Sequence, residues 1–204
     1  ARPIMTHVLT LVAGAANGPL TDDQIAKARN AVAAHGVATG DLVWLADDLA
    51  CDLMIGDCDE EQIDAVVTSA LADHAIDSFV QPVAGRRKQL LLADMDSTMI
   101  GQECVDELAD LAGVGPRVAD ITARAMNGEL DFNAALTERV GLLKDLPVSV
   151  IDQVMAERIT YASGGPTLIA TMKARGALTA LVSGGFTAFT SRVGAHLGFD
   201  RNRA

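Results

Sequence analysis

The stretch Lys88-Gln89-Leu90-Leu91-Leu92-Ala93-Asp94-Met95-Asp96-Ser97-Thr98 limits the possible folds of this chain more than any other. Leu90, Leu91 and Leu92 form a short apolar run, as expected of a strand buried on both faces of a parallel sheet. The run ends in two carboxylates, Asp94 and Asp96, at the place where open α/β sheets bind their ligands. Positions i and i+2 of an extended chain point the same way, so both carboxylates are expected to face one pocket. Two anions 4 Å apart repel by about 1 kcal/mol in water and about 4 kcal/mol at an effective dielectric of 20. A hard cation such as Mg²⁺ relieves that repulsion, since it takes oxygen ligands and needs only one or two protein carboxylates. The stretch therefore points to metal-assisted chemistry on a phosphate.

The rest of the chain bounds this expectation. Half of its 204 residues are apolar and only 3% are aromatic, which favours helix-on-sheet packing over an aromatic-rich sandwich. The net charge of −11 argues against a nucleic-acid partner, which requires clustered Lys and Arg. No apolar stretch reaches the roughly 18 residues of a membrane helix. The apolar segment Val8 to Ala16, preceded only by Arg2 and His7, alternates with Thr and reads as a strand, not a signal peptide. Cys51, Cys58 and Cys104 are odd in number and lack metal-ligand spacing, so they are expected to be free thiols in a reducing cytoplasm.

Along residues 1–84 the pattern predicts a strand (Met5–Ala13), then a helix capped by Thr21 and stopped by Gly36. Two strands follow (Asp41–Ala46 and Leu49–Gly56), then a helix opened by Asp59 and a last strand, Ile76–Gln81. That β-α-β-β-α-β order is the ferredoxin-like motif, a module that often senses ligands or pairs subunits. A short basic linker, Val83–Lys88, marks the boundary. Residues 85–204 then read as a Rossmann-like parallel-sheet core with strands at Leu90 and at Leu178–Val182, interrupted by a helical cap at about 114–160. Two strands are too narrow a sheet to bury its faces, so the core is expected to be incomplete within these residues.

Ser183-Gly184-Gly185 ends the second core strand, where a hydroxyl and unhindered backbone N–H groups can hold phosphate oxygens ahead of a helix N-terminus. Either Asp94 or Asp96 can be nucleophile or metal ligand, and Asp96 can serve as general acid and base. Arg139 in the cap and Glu103 at a helix start do not stand out from solvated helix residues by themselves. His7, His35, His74 and His196 are scattered and are given no catalytic role.

Asp94-Met95-Asp96-Ser97-Thr98 with Ser183-Gly184-Gly185 resembles the first two signature motifs of the haloacid dehalogenase-like phosphatases. Glu103, Met126-Asn127-Gly128-Glu129-Leu130-Asp131-Phe132 and Arg139-Val140-Gly141-Leu142-Leu143-Lys144-Asp145-Leu146-Pro147 narrow the resemblance to the phosphoserine phosphatases of that family, over about Leu90 to Leu197. The N-terminal module resembles, more distantly, the ACT-like regulatory domains that accompany such enzymes. The resemblance implies that Asp94 attacks phosphorus to form an aspartyl-phosphate and that Asp96 protonates the departing serine oxygen and later activates water. It implies Mg²⁺ on the Asp94 carboxylate and the Asp96 backbone carbonyl, Glu103 facing the ammonium of O-phosphoserine, and Arg139 facing its carboxylate. Met126 and Phe132 would close an apolar lid, and Ser183 and Gly184 would cradle the phosphoryl group. The implied role is the last step of serine biosynthesis, with serine as a ligand of the N-terminal module and a homodimer as its assembly.

The same resemblance implies a Lys from a third motif and a Gly-Asp-Gly-x-Asn-Asp segment, and neither occurs before Ala204. Lys173 and Arg175 follow no strand end. These residues by themselves are therefore expected to bind Mg²⁺ weakly and to turn over negligibly. Two other functions fit the same residues: a phosphatase or phosphotransferase for another small phosphomonoester, and a non-catalytic amino-acid-binding or dimerisation module.

Overall fold

A computed structural model describes residues 4–14, 16 and 18–204, and the chain divides into two compact units, 1–87 and 88–204. Arg2 lies outside the described residues. No helix among the described residues is long and apolar enough to cross a membrane.

The first unit runs β1 (His7–Ala13), α1 (Asp22–Ala34), β2 (Thr39–Ala46), β3 (Ala50–Ile55), α2 (Glu60–Ala70) and β4 (Ile76–Pro82). Its antiparallel sheet has the order β2-β3-β1-β4. Thr21 caps α1 in a capping box with Gln24, and Asp59 caps α2 by accepting from the Gln62 N–H, so both helices start where a short oxygen-bearing side chain satisfies an orphan donor. Ile25, Ala28 and Val32 of α1, with Ile63 and Val67 of α2, cover Leu9, Leu11, Leu53 and Ile55 on one face of the sheet. Burying each such large aliphatic side chain contributes about 1.5–3 kcal/mol.

On the opposite face, register aligns Val43, Asp52, Thr10 and Phe79 in one row across the four strands. The two ends of the row are exposed, whereas Asp52 and Thr10 are buried. Arg86, just past β4, reaches back over the row. Its guanidinium donates to both oxygens of Asp52, with Nη2 at 2.8 Å from Oδ1, and Nη2 also lies 3.0 Å from Thr10 Oγ1. Thr10 Oγ1 donates to Asp52 Oδ1 at 2.7 Å, which completes a closed polar cluster.

The second unit runs β5 (Leu90–Ala93), α3 (Cys104–Leu111), α4 (Gly115–Met126), α5 (Phe132–Leu142), α6 (Ser149–Glu157), α7 (Gly165–Ala174), β6 (Leu178–Val182), α8 (Thr187–Leu197) and β7 (Arg201–Arg203). Its sheet is parallel, in the order β5-β6-β7. β7 is a third strand where the sequence pattern gave two. Arg201-Asn202-Arg203 has no alternation to announce it and becomes a strand by pairing with β6.

The expectation of a doubly buried leucine strand is corrected by the structure. Leu91 and Ala93 pack with Leu181, Phe189, Val193 and Leu197. Leu90 and Leu92 point to the other face and remain 50% and 62% exposed. Leu178 and Val182 are exposed with them, because no described element of residues 88–204 covers that face. The cap elements α4, α5 and α6 carry no strand, as the uninterrupted helical pattern predicts.

Candidate active site

The site forms where β5 and β6 end side by side. Leu91 pairs with Thr179 and Ala93 with Leu181, so the residues leaving these strands, Asp94 and Ser183, emerge at the same carboxyl edge. The chain then turns tightly. The Met95 carbonyl accepts from the N–H groups of Thr98, Met99 and Ile100, and the fully buried Met95 side chain anchors the turn in the core. Ser97 takes a left-handed conformation (φ 51°) that few non-glycine residues adopt. That turn directs the Ser97 hydroxyl to Glu103, whose Oε1 accepts at 2.6 Å.

Asp94, Asp96, Glu103, Phe132, Arg139, Ser183 and Gly184 line one cavity of about 170 Å³, together with Val105, Gly185 and Phe186. The two carboxylates thus share one pocket, as their spacing predicts. Met126 does not join them. It is 84% exposed and lines a neighbouring cavity of about 310 Å³. Phe132 and Arg139 belong to both cavities.

Each side chain has a structural reason for its position. Asp94 Oδ1 accepts from the Met95 N–H at 2.7 Å. Asp96 Oδ2 accepts from the Cys104 N–H, at the first turn of α3, at 3.3 Å. Asp96 Oδ1 is buried and has no hydrogen-bond partner among the described residues. Burial raises the Asp96 carboxyl above its ordinary pKa against the lowering effect of the Cys104 hydrogen bonds, and the negative Glu103 and Asp94 add to the rise. A carboxyl shifted this way holds a proton nearer neutrality, as a general acid must. Burial also pushes the Cys104 thiol upward, which makes it an inert core group and not a nucleophile.

The glycines after β6 sit at close approaches. A Cβ on Gly184 would lie 3.3 Å from the Phe132 ring, and one on Gly185 would lie 3.1 Å from Ser183 Oγ. Gly185 N–H donates to Ser183 Oγ at 2.9 Å, and Ser183 N–H donates to the Arg203 carbonyl at 3.0 Å. β7, absent from the sequence expectation, therefore holds the hydroxyl-bearing loop. On α5, capped by Asp131, Arg139 Nε reaches the Ala135 carbonyl at 3.4 Å, and its guanidinium lines the cavity.

Sequence reasoning missed Cys104, whose N–H supports Asp96, as well as the Ser97 contact with Glu103. Both depend on a turn whose positive φ falls on a serine, which no residue pattern announces. Val105 and Phe186 were missed as well, being ordinary apolar residues until the fold brings them to the cavity.

Three carboxylates face this cavity against one guanidinium, so a phosphate cannot be held there without further positive charge. Mg²⁺ fits the donors present: hard carboxylate oxygens in excess at one cavity, with the Asp94 carboxylate at the end of β5. This ion takes one or two carboxylates and completes its shell with water and substrate phosphate. Among the described residues no group of three or more His, Cys, Asp or Glu side chains forms an all-protein metal cage.

Comparison with known proteins agrees with this geometry. The haloacid dehalogenase-like hydrolase family model matches residues 91–204. Phosphoserine phosphatase of Archaeoglobus fulgidus is 46% identical over 127 residues, covering 61% of this chain and 37% of that protein. Phosphoserine phosphatase of Albidiferax ferrireducens is 43% identical over 130 residues, covering 63% of this chain and 55% of its own length. The chain thus spans between 37% and 55% of the length of these two relatives. Among solved structures, a HAD family hydrolase from Salmonella enterica serovar Typhi superposes with a TM-score of 0.78 at 27% identity, over 98% of this chain and 67% of that one. A substrate-bound phosphoserine phosphatase complex superposes with a TM-score of 0.52 at 41% identity, over 56% of this chain and 54% of that one. With its paired aspartates and Ser-Gly-Gly loop at adjacent strand ends, this chain belongs to the haloacid dehalogenase-like hydrolases.

Proposed function

We propose that the chain carries the nucleophile and substrate clamp of a Mg²⁺-dependent phosphatase that hydrolyses O-phosphoserine to serine and phosphate, completing serine synthesis in the cytoplasm. One observation supports this above the others: Asp94, Asp96, Ser183 and Gly184 line one cavity with Glu103 and Arg139, an anion and a cation set apart from the phosphate loop. An amino-acid phosphate presents three charged groups, a phosphate, an ammonium and a carboxylate. A simple phosphomonoester would need neither Glu103 nor Arg139.

In this mechanism an Asp94 carboxylate oxygen attacks phosphorus while the bond from phosphorus to the seryl oxygen breaks. Asp96, whose carboxyl burial raises above its ordinary pKa, gives its proton to that departing oxygen. Asp96 then takes a proton from the water that cleaves the aspartyl-phosphate. Ser183 Oγ and the Gly184 N–H hold the phosphoryl oxygens. Ser97 keeps Glu103 turned toward the substrate ammonium through its 2.6 Å hydrogen bond. Arg139 presents its terminal nitrogens to the carboxylate. Mg²⁺, when bound by the Asp94 carboxylate and the Asp96 carbonyl, offsets the negative charge gathered between nucleophile and phosphate. Residues 1–84 serve as an ACT-like module that binds serine and pairs subunits.

Beryllium fluoride, a mimic of the acyl phosphate, tests the assignment directly. With Mg²⁺ present, fluorine NMR should show one bound species that disappears in Asp94→Asn. A signal that survives the substitution refutes Asp94 as nucleophile. Calorimetry with serine tests the N-terminal role, and absence of heat removes it.

A further inference from the structure

Two residues that line the catalytic cavity, Phe132 and Arg139, also line a second one. This second space is about 310 Å³, nearly twice the 170 Å³ that holds Asp94. Its other walls are Ala125 and Met126 of α4, Leu130 and Ala135, with Thr122 as the one additional polar side chain. The Thr122 hydroxyl is already bonded to the Val118 carbonyl at 3.1 Å, so this annex offers an incoming group mainly apolar contact. Arg139 lines both spaces. Of its nitrogens, only Nε has a hydrogen bond among the described residues, to the Ala135 carbonyl.

From this we propose that the site also accepts a phosphoserine extended at its carboxyl end: an N-terminal O-phosphoseryl dipeptide with an apolar second residue. This substrate class depends on the O-phosphoserine assignment above and widens it. The free amine of the first residue keeps its partner in Glu103, and the phosphate keeps Ser183 and Gly184. One added residue moves the terminal carboxylate outward by about 3.3–3.6 Å. Arg139 borders both spaces, so it can meet the carboxylate of the free amino acid or that of the dipeptide. The second side chain then lies against the small and apolar surfaces of Ala125 and Leu130. The chemistry is unchanged. The Asp94 oxygen bonds to phosphorus as the bond from phosphorus to the seryl oxygen breaks, and that oxygen receives the Asp96 proton. The seryl dipeptide leaves at that point, and water, giving a proton to Asp96, then cleaves the aspartyl-phosphate to release phosphate.

Binding measured by calorimetry with Mg²⁺, in an Asp96→Asn background that slows turnover and keeps the Asp94 carboxylate, tests this. O-phosphoserine and O-phosphoseryl-leucine should bind within about ten-fold of each other, following the affinity scale of about 1.4 kcal/mol per decade. O-phosphoseryl-aspartate should bind more weakly than the leucine dipeptide. Adding Ala125→Phe, which fills the annex, should weaken the leucine dipeptide by at least about ten-fold while leaving O-phosphoserine unchanged. Ala125→Leu, a smaller change that suits a helix, should give a partial loss. Unchanged O-phosphoserine binding also shows that these variants fold. If O-phosphoserine binds and the dipeptide does not, or if Ala125→Phe weakens both equally, the annex is not a subsite, although the phosphoserine assignment survives. If neither ligand binds, both proposals fall together.

Discussion

In residues 4–87 the buried carboxylate of Asp52 has both oxygens bonded, to Arg86 and to Thr10. In residues 88–204 the half-buried Asp96 keeps Oδ1 without a partner, with the negative Glu103 and Asp94 beside it. Both aspartates lie on or just beyond a sheet and both have lost much of their water. One carboxylate is closed by its own chain and the other is left open. A satisfied buried charge adds specificity to a fold, whereas an unsatisfied one retains interaction energy for a ligand. The sheets differ in the same sense. The first carries a polar cluster on the face its helices do not cover, and the second leaves leucines bare on that face while its chemistry gathers at the strand ends.

The sharpest way to break this contrast is to neutralise the open carboxylate. Asp96→Asn should slow phosphoryl transfer to Asp94 by about 10²–10⁴-fold, the usual loss of a general acid. Single-turnover labelling with phosphate-labelled O-phosphoserine reads that rate, and a loss under about three-fold would assign the proton elsewhere. Arg139→Ala comes next. Removing charge-assisted hydrogen bonds of about 1.5–3 kcal/mol should weaken O-phosphoserine by about 10–100-fold. p-Nitrophenyl phosphate, which has no carboxylate, should be nearly unaffected, and equal losses on both would place Arg139 at the phosphate.

Opening the closed carboxylate tests the other half. Arg86→Met leaves Asp52 buried and unpaired, which costs about 3–5 kcal/mol for a fully dry pair. Arg86 retains 27% of its side-chain exposure, so a smaller loss of about 1–2 kcal/mol is expected in urea unfolding. O-phosphoserine affinity should stay the same, and a parallel loss of affinity would show that Asp52 is not merely structural.

The smallest effect is a pH effect. Asp200 accepts hydrogen bonds from Lys173 and Thr179, and its pKa is lowered to about 2. A folded pKa below the unfolded value of about 3.9 means that the contribution is complete above that value. It is lost as pH falls from about 4 through about 2. Melting curves of the parent and Asp200→Asn should therefore differ at pH 6, and the gap should narrow steadily as the pH falls from about 4 toward 2. A constant gap would mean that the bond to Lys173 is not what stabilises the folded state.

What the sequence made legible was local. Thr21 and Asp59 open helices because one side chain and the next few N–H groups decide the start of each. Asp94 and Asp96 were legible because two residues of extended chain suffice to aim them together. What stayed hidden depended on distance along the chain. Asp52 and Arg86 meet across 34 positions, and neither is remarkable by type. β7 exists only through β6, and the exposure of Leu90 and Leu92 depends on which elements lie over the sheet, not on the run of leucines itself. Met126 was placed with the lid residues, but it faces the annex because α4 ends there.

Gly184 bears on how such a protein can drift under random mutation. A Cβ there would lie 3.3 Å from the Phe132 ring, so that ring, which lines two cavities, would have to give by a few tenths of an ångström. In a library selected for altered substrate preference, substitutions at codon 184 should therefore accumulate most often beside changes at codon 132.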